Sequence, residues 1–408
     1  MIDTRQEVIY ALNEAAEIEH GFMIQYIFAA MSMKKYINEK ITGEQQELIR
    51  KWESDILSVA REEMAHLGTV CNLLSAVGGA PHFERPNFPQ KATQYYPFDF
   101  VLSRFSDESL YRFIRFELPK GEPLPPPPKQ LSKSKLLALF PIAPDPIEYD
   151  YLGELYNKIR YGFNTLPEDD LFIGPKGSQD SESWSQRMEI LRVTDRRNAN
   201  TAIDFIIEGG EGSPGNREGS HYETFLTMRN ELNLQSEEES FDPSRPVVLN
   251  PRTRIIHRNA PIQGTIIEYA YSKKVAELFN MYYELSLLIL SQLYSFGGES
   301  LGERDILRQS SRQLMTMAIR PIAEILTTMP ATNEPSDGNA GPPFELYGDL
   351  QLYTQESSRW IILNERFESI IAETIDLSDI NKRFSFIAEN ISMIKNNIKQ
   401  TLLSEEKL

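Results

Sequence analysis

The residues best placed to do chemistry are charged side chains standing on otherwise apolar helical stripes. Glu19 falls in register with Leu12, Ala15, Phe22 and Tyr26, and Glu63 and His66 fall in register with Val59, Val70 and Leu73. Residues three apart share a helix face, so Glu63-x-x-His66 offers a carboxylate and an imidazole from one side. A carboxylate buried without a partner costs several kcal/mol. A divalent first-row metal, iron in particular, suits carboxylate and imidazole ligands presented together in an apolar bundle. The plainer reading of Glu19 is a salt bridge to Arg61 or Lys34.

A second metal requires a second set of ligands. Glu154 stands one helical turn after Tyr151; taken alone it reads as a solvated glutamate. Glu208 and Glu211 repeat the spacing of the first pair, with Glu where His would stand, and His221 follows them. Glu218-x-x-His221 has the same spacing, but Gly219 places it in a loop setting. Spacing leaves the choice among these open.

The elements that must position these groups are nearly all helical. Residues 4–37 hold an apolar period of three and four, and a longer helix starts near Thr42 and stops at Gly78-Gly79 before Pro81. Two long amphipathic helices joined by a short connection are expected to lie antiparallel. Shorter helices are predicted over 106–116, 131–140, from Asp145 onward, 197–208 and 220–231. Segment 236–265 reads as a surface excursion or small hairpin. Helices resume over 266–296, 303–328, 352–375 and 378–403. The expected organisation is a metal-binding bundle with inserted loops over 1–235, the excursion, and C-terminal helices over 266–408 packing on the bundle.

Composition excludes several alternatives. The 42 basic and 59 acidic residues give a net charge of -17, which repels phosphate backbones, so no nucleic-acid partner is expected. Cys71 is the single cysteine, which rules out an intrachain disulfide and cysteine-rich zinc or iron–sulfur sites. Residues 285–293 are too short an apolar run to cross a bilayer, and Met1 to Gln6 do not lead into a signal-peptide core. A cytoplasmic protein without a membrane partner is the expectation.

A Glu from each of two helices and a Glu-x-x-His from each of two others is the ligand pattern of ferritin-like di-iron bundles. The chain also resembles the ferritin-like domain proteins grouped with iminophenyl-pyruvate dimer synthase, of violacein- and rebeccamycin-type biosynthesis. The match is carried by Glu19-His20 with Gln25-Tyr26, Glu63-x-x-His66 running into Asn72-Leu73-Leu74 and Gly78-Gly79-x-Pro81, and Gly153-Glu154-Leu155-Tyr156. It continues through Ile207-Glu208-Gly209-Gly210-Glu211-Gly212, Ser220-His221-Tyr222, Arg320-Pro321-Ile322-Ala323 and Ala340-Gly341-Pro342-Pro343-Phe344-Glu345. Gly209 departs from it, standing where a longer polar residue such as Gln is expected.

The resemblance implies an all-α fold, a ferritin-like four-helix bundle core with long loop insertions and additional C-terminal helices. It implies metal ligands among Glu19, Glu63, His66, Glu154, Glu208, Glu211 and His221, one more than a standard di-iron site needs. The implied cofactor is a pair of non-haem iron ions, with manganese as the alternative. The implied activity is a dioxygen-using oxidase or oxygenase of a small amine or amino-acid-derived substrate in secondary metabolism, with an unidentified electron donor. Tyr26, Tyr151 and Tyr222 are the candidate aromatic residues lining that pocket or passing electrons, against ordinary core packing. A homodimer fits the exposed helix faces of such folds. The rival functions are metal storage or peroxide scavenging, and a non-catalytic binding protein with a decayed metal site.

Overall fold

The computed structural model describes residues 2–90, 100–128, 149, 151–181, 184, 189–209, 219–238, 241–254, 264–295, 298–348, 350 and 355–404. The helix predicted over 131–140 and the candidate ligand Glu211 lie outside the described residues.

Helix α1 (Arg5–Ser32) begins at a reciprocal cap: the Glu7 amide donates to the Thr4 hydroxyl, and the Glu7 carboxylate accepts from the Thr4 amide at 2.9 Å. Helix α2 (Gly43–Ala76) begins the same way, with Thr42 and Gln45 exchanging bonds. Its end is fixed by Gly78, whose φ of +84° is a left-handed conformation that a side chain would strain. The Gly79 amide then reaches back to the Leu74 carbonyl at 2.8 Å and the Gly78 amide to Ser75 at 3.0 Å, closing the last turn. Both predicted long helices are therefore present, with the first ending at Ser32 and not near residue 37. The reason is tertiary: Met33 leaves the helix to pair with Ser244, and the Arg245 amide donates to the Ser32 carbonyl.

The short connection folds α2 back along α1. Helices α3 (Asp107–Phe116) and α6 (His221–Glu238) pack as a second pair and touch both long helices. Helices α4 (Leu152–Thr165) and α5 (Arg196–Gly209) form a third pair, α4 lying on α1 and α5 on α2. Helix α1 is consequently buried on nearly every side from Ala11 to Ser32. That is why its hydrophobic residues are not confined to one stripe.

The C-terminal helices are α7 (Ala270–Leu293), α8 (Leu301–Leu314), α9 (Arg320–Leu326), α10 (Glu356–Asp376) and α11 (Arg383–Ser404). Helix α8 runs into α9 through a widened, π-helical turn at Met315–Ile319. Pro321, with no amide hydrogen and a ring that crowds the preceding turn, gives the physical reason for the wider turn there. Helix α7 lies beside α8, α10 and α9, and α9 also touches α1. The Tyr283 hydroxyl on α7 meets His20 Nε2 of α1 at 2.6 Å, tying this layer to the long pair.

The connection before α7 differs from the expected surface hairpin. Pro251–Arg252 pairs with Thr265–Ile266 in parallel, and Val247 bridges Asn339. Val247, Val248, Asn250, Arg252 and Thr253 are buried. Its described residues form a strap held under neighbouring chain, because beside the bonds from Thr265 to Leu249 and Asn250 their backbone groups find partners on Ser32, Leu102 and Asn339.

An aromatic cluster fills the space between the first and second helix pairs. Phe22 stacks on Phe116 with centroids 4.5 Å apart, and Tyr26 meets Phe113 at 4.7 Å and Phe225 at 4.9 Å. Phe22→Ala is expected to lower the free energy of unfolding by about 3–5 kcal/mol, read from urea titration at constant m-value.

Candidate metal centre

Five buried side chains from four helical segments converge within the first two pairs. Glu19, Glu63 and His66 form one group and Glu63, Glu117 and His221 form another, the ligand atoms within each lying no more than 4.8 Å apart. Glu63 belongs to both. Its Oε2 lies 2.9 Å from His66 Nδ1, which is 3.6 Å from Glu19 Oε2. Its Oε1 lies 3.0 Å from His221 Nδ1, which is 3.5 Å from Glu117 Oε2. One carboxylate therefore faces two ligand sets, each with a further carboxylate and an imidazole.

The outer oxygens of the two terminal carboxylates are held by phenols. Tyr26 donates to Glu117 Oε1 at 2.5 Å, and Tyr156 donates to Glu19 Oε1. Behind His221, Nε2 lies 3.1 Å from Glu62 Oε2; with that nitrogen donating, Nδ1 turns a lone pair toward the centre. His66 is packed edge-on by Phe205.

The inward atoms are the informative ones. Glu19 Oε2, Glu63 Oε1, Glu117 Oε2 and His221 Nδ1 are all buried without a hydrogen-bond partner. Orphaned buried acceptors are rare in native proteins because each costs its full desolvation. Here the orphans all point at one another. Carboxylate and imidazole donors in this arrangement fit a pair of divalent first-row cations, which Glu19, Glu63 and His66 on one side and Glu63, Glu117 and His221 on the other would hold.

The ferritin-like family model matches residues 12–230, more than half of the chain. This chain belongs to the ferritin-like family. Over 390 residues it is 29% identical to dichlorochromopyrrolate synthase of Lentzea aerocolonigenes, covering 85% of this chain and 36% of that protein. Over 403 residues it is 27% identical to 2-imino-3-(indol-3-yl)propanoate dimerase of Chromobacterium violaceum, covering 91% of this chain and 37% of that protein. The chain thus spans little more than a third of the length of these curated relatives. A solved ferritin-like protein from Caulobacter vibrioides superposes with a TM-score of 0.47 at 17% identity, covering 78% of this chain and 93% of that one.

Among the residues singled out from sequence, the ferritin-like bundle brings together Glu19, Glu63, His66 and His221, with Tyr26 behind them. Glu154 is half-buried on α4 and belongs to neither group; its charge acts on Lys120. Tyr156 takes the inward face of that helix, and residues two apart cannot both do so. Glu208 is exposed, because its neighbour Gly209 is the residue that lies against the site. A Cβ on Gly209 would stand 2.8 Å from His66 Nε2, so the expected longer polar side chain has no room there. Tyr151 lies at the start of α4, its ring 5.6 Å from the Lys120 amine, and Tyr222 is buried with its phenol raised by burial and by Glu122. Neither belongs to the carboxylate–imidazole cluster.

Glu117 and Tyr156 were missed. Glu117 caps the C-terminal end of α3, where the helix dipole disfavours a negative charge. Its signal was present: Leu110, Phe113, Ile114 and Glu117 follow the apolar period of α3. Tyr156 likewise continues the stripe of Leu152, Leu155 and Ile159, and a buried phenol must find an acceptor.

Burial pushes the Glu19 carboxyl up to about 7, against the pull of the His66 imidazole 3.6 Å away. Burial alone would lower the His66 imidazole, but the adjoining Glu19 and Glu63 carboxylates raise it to about 9. Burial opposes the His221 imidazolium too, and the charges of Glu63 and Glu117 carry it well above its ordinary value. Without a cation, protons supply the positive charge. A raised imidazole pKa contributes stability that is complete below 6.5 and lost as pH climbs through about 9. Chelator-treated protein is therefore expected to lose thermal stability between pH 6.5 and about 9, with divalent metal flattening that slope. A melting temperature rising over this window would contradict the assignment.

Ligand identity has its own check. Glu117→Ala is expected to bind one metal ion fewer per chain by elemental analysis, while Glu154→Ala and Glu208→Ala keep wild-type stoichiometry. Gly209→Ala is expected to weaken metal binding at His66 by about 1–3 kcal/mol through the displaced ring.

Proposed function

We propose that the chain is an enzyme holding two metal ions, iron first and manganese second, and using dioxygen to oxidise a small amine- or amino-acid-derived substrate in secondary metabolism. The observation that carries this reading is the shared Glu63, flanked by two orphaned carboxylates and an orphaned imidazole in a water-excluded core. Bound iron would supply the redox equivalents that organic side chains lack.

The chain's own residues do the rest. Glu63 would serve both groups, offering one oxygen to each. Glu19 and Glu117 neutralise charge, and the Tyr156 and Tyr26 hydroxyls hold each carboxylate in one orientation. His66 and His221 add neutral donors once their protons leave. The aromatic cluster of Phe22, Phe113, Phe116 and Phe225 excludes water on one side. A small imino acid or related indolic amine is the substrate class this reading favours, since one relative is by name a dimerase of 2-imino-3-(indol-3-yl)propanoate.

The test is anaerobic loading with ferrous iron followed by an oxygen electrode. Two irons per chain and oxygen uptake that rises at least several-fold with an amino-acid-derived imine or amine are expected. Oxygen uptake indifferent to every such compound, with iron accumulating beyond two per chain, would replace this reading with storage. Tyr156→Phe is expected to retain iron but slow oxygen uptake by roughly tenfold, the usual cost of losing a group that orients a ligand.

A further inference from the structure

A cleft of about 290 Å³ lies between α2 and α6 and ends on the metal centre. Its charged lining is Asp55, Glu62, Glu223, Glu231 and Lys51. Lys51 is paired with Glu231 at 2.6 Å, and with four carboxylates in the lining the cleft is net negative even when both Lys51 and His221 carry a positive charge. The lining grades inward: Lys51 and Thr227 are exposed, the three carboxylates half-buried, and His221 only 1% exposed.

The inner end is a single imidazole ring. His221 Nε2 faces the cleft, 3.1 Å from Glu62 Oε2, while Nδ1 of the same ring faces Glu63 at 3.0 Å and has no hydrogen-bond partner. Among the described residues, the His221 ring touches both the acidic cleft and the buried ligand set. It sits on the first residue of α6, next to the turn at Gly219.

We propose that this cleft is the portal through which divalent cations reach the centre. The inference rests on the metal-centre reading above. A dication moving from water into a low-dielectric core needs replacement ligands at each step, because stripping its shell without them is prohibitive. Asp55 and Glu223 supply the outer station. Glu62 supplies the next, exchanging its bond to His221 Nε2 for the incoming ion. Rotation of the His221 ring away from Glu62 then opens the way to Glu63 and Glu117. Entry changes no oxidation state.

The experiment follows cobalt(II) uptake by the chelated full chain, using stopped-flow absorption for the rate and elemental analysis for the final stoichiometry. The Asp55→Asn/Glu223→Gln double variant alters no residue of the ligand set. It is expected to take up the same cobalt per chain as wild type but roughly tenfold more slowly at low ionic strength. The difference should shrink as salt screens the cleft, and Lys51→Gln should load faster than wild type. Equal rates in all three proteins at equal stoichiometry would overturn the portal and leave the centre standing. Failure of wild type to bind cobalt at all would overturn the centre, and the portal with it. Should the double variant not fold, the Lys51→Gln rate decides alone: faster supports the portal, unchanged overturns it.

Discussion

The structure is organised around one electrostatic demand: Glu63, fully buried, turns each oxygen toward an imidazole and another buried carboxylate. Three carboxylates this close in a medium of low polarity repel one another strongly, and only positive charge placed among them relieves it. Either protons on His66 and His221 or metal ions can provide it. The phenols of Tyr26 and Tyr156 occupy the outward oxygens and leave the inward ones for that charge. Much of the surrounding architecture follows from keeping those groups converged and dry.

The bundle meets this demand asymmetrically. Helices α1 and α2 are long, doubly capped and packed along their length, so Glu19, Glu63 and His66 sit on rigid elements. Glu117 and His221 lie instead at the ends of their helices, Glu117 just past α3 and His221 opening α6. Helix ends are the natural place for exchangeable ligands, since fewer backbone bonds constrain them. The side of the centre served by these ends is also the side where the acidic cleft lies. The opposite side is closed by α4 and α5, through Tyr156 on Glu19 and Gly209 against His66.

Two further sets of contacts tie distant segments to the long helices. The strap through residues 243–254 is pinned beneath α1 and the segment after α9, and the Arg245 guanidinium reaches both Glu39 and Thr327. Asp180 accepts from Trp184 and Arg308, while Asn72 on α2 bonds the Asp180 backbone, joining the 174–194 loop to α2 and α8. Among the described residues no helix is long and apolar enough to cross a membrane. The C-terminal helices pack on α7 and on one another, with α9 also touching α1.

The sequence by itself determined the helical character, the two capped long helices and the Glu19, Glu63 and His66 triad, because period and phase are local properties that place a charge on a stripe. It also contained the stripe positions of Glu117 and Tyr156, but a ten-residue helix gives too few turns for one charge to stand out. Only the tertiary structure decided which later carboxylate joins the buried group around Glu63. Glu154 and Glu208 each lose the inward position to a neighbour, Tyr156 and Gly209, whose contacts with Glu19 and His66 are set by segments more than a hundred residues apart. Spacing cannot encode that choice, since it depends on how one helix is rotated against another by packing across the whole core.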